Sequence, residues 1–277
     1  MTDSTFLYGA NVRANGIRQH YLRYGGKGRP VVLVPGITSP AVTWGFVAER
    51  FGRHFDTYVL DVRGRGLSEA SASLDYGLDA CAADVGAFAE GLKLEGYALV
   101  GHSMGARIGI RTARHHGGGL ERLVLIDPPV SGPGRRPYPA KLDWYIDSIR
   151  LMRDGAGFEA LRAFSPTWTD AELRLRSEWL HTCDERAIVA SYDGFHQDDI
   201  HADLRHIDVP TLLVAAGRGD VIRPADLEEL QQLMPAMQLA HVPNAGHMIP
   251  WDDAPGFYRA FGDFLGVPFA GEDHARQ

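Results

Sequence analysis

Along most of the chain, short apolar runs alternate with amphipathic stretches, the pattern of a largely parallel sheet with helices on both faces. The opening departs from this pattern. Asn15-Gly16 is a strong two-residue turn signal and residues 17–24 alternate beyond it, which predicts a hairpin. Val31-Val32-Leu33-Val34 reads as a buried strand that stops at Pro35-Gly36. The pattern then predicts a helix over 44–51, a strand over 57–62, a long helix over 79–92 and a strand over 97–101 that runs into Ser103. The next helix extends to about residue 115, where Gly117-Gly118-Gly119 stops it, and strand 123–126 ends at Asp127-Pro128-Pro129.

Over 131–209 the pattern changes. Ser131-Gly132-Pro133-Gly134 is a flexible break, after which Leu142, Tyr145, Ile149 and Met152 recur at helical spacing. Helical stretches follow over 158–164, 170–180 and 185–193, with no strand-like run. This segment is expected to be a helical cap inserted into a core built from 1–130 and 210–277. The core resumes with strand 211–215, helix 225–233, strand 238–242, Gly246-His247 and a closing helix to about residue 265. The polar tail from Gly266 onward is expected to be loose. The class is therefore α/β: a mostly parallel eight-stranded sheet flanked by helices, with an inserted helical cap.

Composition narrows the function more than the fold. At 277 residues, 45% apolar and 23% charged, the chain can bury roughly 75% of its unfolded surface without staples. The formal net charge of -7 argues against a nucleic-acid partner, which favours a basic face. Two cysteines, Cys81 and Cys183, lie far apart in sequence and make neither a zinc site nor a disulfide framework, so a reduced, cytoplasmic setting is expected. No signal peptide is visible at the start, and no run approaches the roughly 20 apolar residues of a membrane span. The expected partner is a small-molecule substrate, with no membrane association; a homo-oligomer is compatible with the sequence.

Gly101-His102-Ser103-Met104-Gly105 lies between a predicted strand and a predicted helix, the context of a nucleophile elbow. The turn is so tight that its flanking positions must lack a bulky Cβ, and it holds the serine hydroxyl above a helix N-terminus, where an oxyanion is favoured. A serine needs a base. Among 12 histidines, His247 follows the last strand, where a turn can bring it beside the elbow. His102 is adjacent to the serine but points away, so packing or hydrogen bonding is its expected role. Two aspartates compete for the acid. Asp220 follows the strand before the last, the commoner placement and the one sequence alone slightly favours, while Asp127 ends the strand before the cap. Backbone amides of Met104 and Ile37 are expected to form the oxyanion hole, with hydroxyls of Thr38 and Ser39 in reach. Asp61-x-Arg63-Gly64-x-Gly66-x-Ser68 lacks the spacing and lysine of a phosphate loop and reads as a structural turn. Arg107, Arg136, Trp144 and Tyr192 are the candidates for substrate contacts.

These motifs, together with Val34-Pro35-Gly36-Ile37-Thr38-Ser39-Pro40, the stretch Asp127-Pro128-Pro129-Val130-Ser131-Gly132-Pro133-Gly134-Arg135-Arg136-Pro137 and Asn244-Ala245-Gly246-His247-Met248-Ile249-Pro250-Trp251, resemble the N-formylmaleamate deformylases of bacterial nicotinate degradation. Those enzymes belong to the α/β-hydrolase superfamily. The chain is similar, more distantly, to the hydrolases that cleave (acetamidomethylene)succinate. In this subgroup the acid follows the sixth strand, so the resemblance implies Ser103, His247 and Asp127, with Asp220 the runner-up. It further implies hydrolysis of a small N-acyl amide, a small carboxylate as substrate, and no metal or organic cofactor. A carboxylesterase or a C–C bond hydrolase of ring-cleavage products on the same triad is the alternative reading. A non-catalytic small-ligand sensor is the alternative of another class.

Overall fold

Asn15 and Gly16 take φ of 49° and 75°, the left-handed pair that a tight hairpin needs, and they join β1 (Phe6–Ala14) to β2 (Ile17–Tyr24). In the computed structural model, which describes residues 4–267 and 269, this hairpin forms the antiparallel edge of an eight-stranded sheet. The chain continues through β3 (Pro30–Val34), a 3-10 turn (Ala41–Trp44), α1 (Gly45–Phe51), β4 (Asp56–Leu60), α2 (Leu78–Gly91), β5 (Tyr97–His102), α3 (Met104–His115) and β6 (Leu120–Ile126). Between β6 and β7 every regular element among the described residues is helical: α4 (Leu142–Arg153), a 3-10 stretch (Phe158–Ala163), α5 (Asp170–Leu180), α6 (Glu185–Gln197) and α7 (Ile200–Leu204). Then come β7 (Thr211–Ala216), α8 (Pro224–Leu233), β8 (Gln238–Val242), α9 (Ile249–Asp252) and α10 (Ala254–Ala260).

The strand order is β1-β2-β4-β3-β5-β6-β7-β8, and all pairs from β4 to β8 are parallel. Their carboxyl ends therefore share one edge, where open α/β sheets place ligands. Alternate residues feed two cores. Val32, Val34, Leu99, Leu123 and Leu125 pack with Val85 and Phe88 of α2 and Ile108 of α3. Val31, Leu33, Val100, Val124 and Ile126 pack with Val47 and Phe51 of α1 and Phe257 of α10. Each fully buried side chain of this size contributes about 1.5–3 kcal/mol, so both faces hold the sheet rigid beneath the site.

Several expectations change in detail. The helical stretch expected over 158–164 is a 3-10 helix ending at Ala163, α6 runs on to Gln197, and α7 is too short for its period to register in the sequence. The closing helix is broken at Asp253, whose φ and ψ of -147° and 77° are extended and whose carboxylate accepts from the Gly256 amide. In the tail expected to be loose, Phe269 is buried against Phe51 with ring centroids 4.8 Å apart; residues 268 and 270–277 lie outside the described residues.

The stretch from Asp61 to Ser68 is a structural turn. The Asp61 carboxylate accepts from the Ala41 and Leu67 amides and lies 2.7 Å from His20 Nδ1. Arg63 forks onto the buried Asp84. Gly66, at φ 57°, leaves no room for a side chain: a Cβ there would sit 2.2 Å from Asp61 Oδ1.

Candidate active site

β5 delivers the chain to Ser103, whose φ of 55° and ψ of -118° place it outside the regions a serine normally occupies. The distortion persists because both neighbouring glycines are wedged. A Cβ on Gly101 would lie 2.2 Å from the Gly105 carbonyl oxygen, and one on Gly105 would lie 1.9 Å from that of Val34. No residue but glycine lets α3 start so close to β3 and β5. The Ser103 amide is pinned by donating to the Ile126 carbonyl at 2.8 Å. The hydroxyl is thereby lifted above the carboxyl edge of the sheet.

His247 arrives on the loop after β8, which is tightened by the Gly246 amide donating to Asp252 at 2.9 Å. Its Nε2 lies 2.9 Å from Ser103 Oγ and its Nδ1 lies 2.7 Å from Asp127 Oδ2. Asp127 is 1% exposed and also left-handed, at φ 44°. Its other oxygen accepts from the Ala216 amide at 3.2 Å, and its own amide donates to the Val214 carbonyl. An ionised carboxylate only accepts, so Nδ1 carries the proton and Nε2 presents a lone pair to the serine hydroxyl. The strain at both Ser103 and Asp127 thus holds one continuous hydrogen-bonded chain.

Asp220 is not part of that chain. It is half exposed at the cavity wall and pairs with Arg223 at 2.6 Å. The reason is register. Asp127 directly follows β6 beside β7, whereas Asp220 comes four residues beyond the end of β7, where the loop passes the triad through Gly219 and the Asp220 carboxylate is taken up by Arg223.

Behind the serine, the fully buried His102 is oriented by the Nε2–H donating to the His247 carbonyl at 3.0 Å. Burial, with the His247 ring close by, pushes its pKa down to about 3, so the ring is neutral. The amides of Ile37 and Met104 meet no acceptor among the described residues. Arg65, buried and without a carboxylate partner among the described residues, ties both residues in place. It donates to the Ile37 carbonyl at 3.1 Å and the Met104 sulfur at 3.4 Å, and reaches the Ala187 carbonyl and Ser191 hydroxyl of α6. The sequence offered no sign of this, because Arg65 sits at an unconstrained position of the turn motif.

The cavity over Ser103 has a volume of about 630 Å³, in the range of small-molecule sites. Thr38, Ser39 and Trp144 line it as expected. Arg107, Arg136 and Tyr192 do not. Arg107 spends its guanidinium on the carbonyls of Pro129, Ser131, Gly194 and Asp198. Arg136 pairs with Asp226 and the Val221 carbonyl, and the Tyr192 hydroxyl donates to the Ala140 carbonyl. Arg176 and Tyr138 are among the cavity residues that lie outside the sequence candidates. Arg176 of α5 is buried and lies over the Trp168 ring; among the described residues it donates only to Thr38 and leaves its Nε without a partner. Its signal was legible: Leu173, Arg176 and Leu180 share one helical face, and an arginine on an apolar face requires a reason. Tyr138 lines the cavity, and its hydroxyl lies 3.1 Å from that of Tyr145.

Cys81 and Cys183 are buried and pushed up to about 12, hence inert thiols. Among the described residues no group of metal-ligating side chains is assembled, and no helix is long and apolar enough to cross a membrane.

Comparison with known proteins shows the family. The alpha/beta hydrolase fold family matches residues 29–254. A protein of Pseudomonas putida KT2440 named N-formylmaleamate deformylase is 64% identical over 265 residues, covering 96% of this chain and 99% of its own length. The crystal structure of the N-formylmaleamic acid deformylase of Pseudomonas putida S16 superposes with a TM-score of 0.89 at 55% identity, covering 92% of this chain and 100% of that one. E-2-(acetamidomethylene)succinate hydrolase, at 21% identity and a TM-score of 0.78, covering 95% of this chain and 100% of its own, shares the fold.

Proposed function

The chain belongs to the α/β-hydrolase family and is a hydrolase, and on that premise we propose that it removes the formyl group of N-formylmaleamate with Ser103 as nucleophile, His247 as base and Asp127 as the supporting acid. The observation that carries this reading is the hydrogen-bonded chain from Ser103 Oγ through His247 to Asp127, at 2.9 and 2.7 Å. Residues 131–209 act as a cap over a core of 1–130 and 210–277.

Ser103 Oγ attacks the formyl carbon while its proton passes to His247 Nε2. The oxyanion accepts from the Ile37 and Met104 amides, at about 3 kcal/mol of transition-state stabilisation per donor. Asp127 stays ionised and balances the imidazolium. The C–N bond then breaks, His247 returns the proton to the departing nitrogen, and maleamate leaves. Water, deprotonated by His247, attacks the formyl-serine ester and releases formate. Every proton is accounted for by the imidazole.

The leaving group carries a carboxylate, and Arg176 is the cation suited to it. It is buried at the cavity wall with an unfilled donor and no carboxylate neighbour among the described residues. Release of formate from N-formylmaleamate by the wild-type enzyme, and its loss by about 1,000-fold or more in Ser103→Ala, tests the proposal. Brisk cleavage of p-nitrophenyl acetate with no formate from N-formylmaleamate overturns it in favour of an esterase. The volume and the aromatic walls formed by Trp144, Phe164 and Trp168 favour one second reading, a C–C hydrolase of larger ring-cleavage products; turnover of such a dienoate in preference to the formyl amide establishes it.

A further inference from the structure

We propose that Tyr138 is a further catalytic residue, its hydroxyl donating to the carbonyl oxygen of the departing amide. The inference rests on the deformylase reading, and it concerns the half of the reaction that the oxyanion hole does not serve. An N-formyl amide breaks at a nitrogen shared by two carbonyls. The oxyanion on the formyl carbon is met by the loop after β3 and the start of α3. As the C–N bond breaks, its electron pair passes to the nitrogen and spreads onto the oxygen of the second carbonyl. That oxygen lies on the leaving-group side, where His247 delivers the proton.

Tyr138 stands on that side. It follows the break after β6, the strand that also supplies Asp127, and it lines the cavity with Ser103 and His247. Its ring centroid is 6.4 Å from the His247 imidazole, edge to face. The ring is fixed by Phe195, at 5.0 Å, and by Tyr192. The hydroxyl lies 3.1 Å from the Tyr145 hydroxyl, itself buried in the cavity wall. When Tyr138 donates to substrate, Tyr145 donates to Tyr138, so the pair forms a directed relay. Burial raises Tyr138 well above the ordinary tyrosine value and Tyr145 to about 12, which keeps both phenols protonated and able to donate. Tyr138 keeps its proton throughout; the nitrogen is protonated by His247 alone.

The test separates leaving groups while holding the acyl group constant. N-formylmaleamate and phenyl formate give the same formyl-serine, but phenolate needs no hydrogen bond at a second carbonyl. In Tyr138→Phe, kcat/KM for N-formylmaleamate should fall by about 30-fold or more, and at least tenfold further than for phenyl formate. Tyr145→Phe should shift the same ratio in the same direction by less. Equal losses on both substrates would mean that Tyr138 only shapes the site, and no loss on either would mean that it touches nothing that reacts; both results overturn the inference. A failure of the deformylase reading is seen separately, in wild-type enzyme that cleaves phenyl formate and leaves N-formylmaleamate intact.

Discussion

Replacing Asp127 by asparagine changes one atom of a buried carboxylate and tests the whole site. In the wild-type chain the carboxylate lies 2.7 Å from His247 Nδ1 and is 1% exposed. At an effective dielectric of about 20, opposite charges at that separation attract by about 6 kcal/mol. The imidazolium exists only after the serine proton has been taken, so this attraction acts on the transition state and little on the ground state. Its loss corresponds to roughly 10⁴ in kcat. A second argument reaches the same size. The asparagine amide would donate to Nδ1, forcing the ring proton onto Nε2, where it faces Ser103 and blocks proton abstraction. Formate release under saturating substrate measures the loss, and a thermal melt confirms that Asp127→Asn is folded. Asp220→Asn serves as the contrast. Its carboxylate is half exposed and bound to Arg223, so kcat should stay within threefold. If Asp127→Asn retains more than about a tenth of wild-type kcat while Asp220→Asn is crippled, the assignment of the acid is wrong and the observed rotamer of His247 is not the working one.

Arg176→Met removes a buried cation that lacks a carboxylate partner; KM for N-formylmaleamate should rise by about 10- to 100-fold, the worth of one charged hydrogen bond, while a neutral aryl ester is bound as before. Gly105→Ala drives a Cβ to within 1.9 Å of the Val34 carbonyl oxygen, so urea unfolding should show a loss of about 3 kcal/mol or more, and the displaced serine should cost at least 100-fold in kcat. His102 titrates at about 3 in the folded chain against 6.5 when free, so the unfolded state binds the extra proton between those values and stability falls as pH drops below 6.5. His102→Gln should therefore show a stability difference between pH 7 and pH 5 that is smaller than wild type by about 2 kcal/mol, and an unchanged slope would mean that His102 is not held neutral.

The elements that position the site could be read from the chain because they are governed by local rules. Val31 to Val34 must be a buried strand, Asn15-Gly16 must turn, and Gly101 and Gly105 must flank a distorted residue, wherever the rest of the molecule lies. The acid could not be read so directly. β6 and β7 are parallel neighbours, so Asp127 and Asp220 both fall at adjacent carboxyl ends, and only the length of the loop after β7 separates them. The cavity walls were harder still, because they depend on how the helices between β6 and β7 dock on the sheet.

Arg107 and Arg176 make the point in physical terms. Both are buried and neither has a carboxylate partner among the described residues. Arg107 lies one helical turn beyond Ser103, and that turn directs it toward the end of α6. There four carbonyl oxygens use its donors and fasten α6 to α3. Arg176 lies 73 residues from Ser103 in sequence and meets it across the cavity, with Thr38 as its hydrogen-bond partner and one donor unfilled. Burying a cation costs several kcal/mol unless its hydrogen-bonding capacity is met. A guanidinium saturated by carbonyls has met that cost structurally and has nothing left to offer a substrate. One left partly unfilled at a cavity wall meets it when an anion enters. What separates the two is the inventory of acceptors around each fork, which is a property of how the helices between β6 and β7 pack on the sheet and not of any interval along the chain.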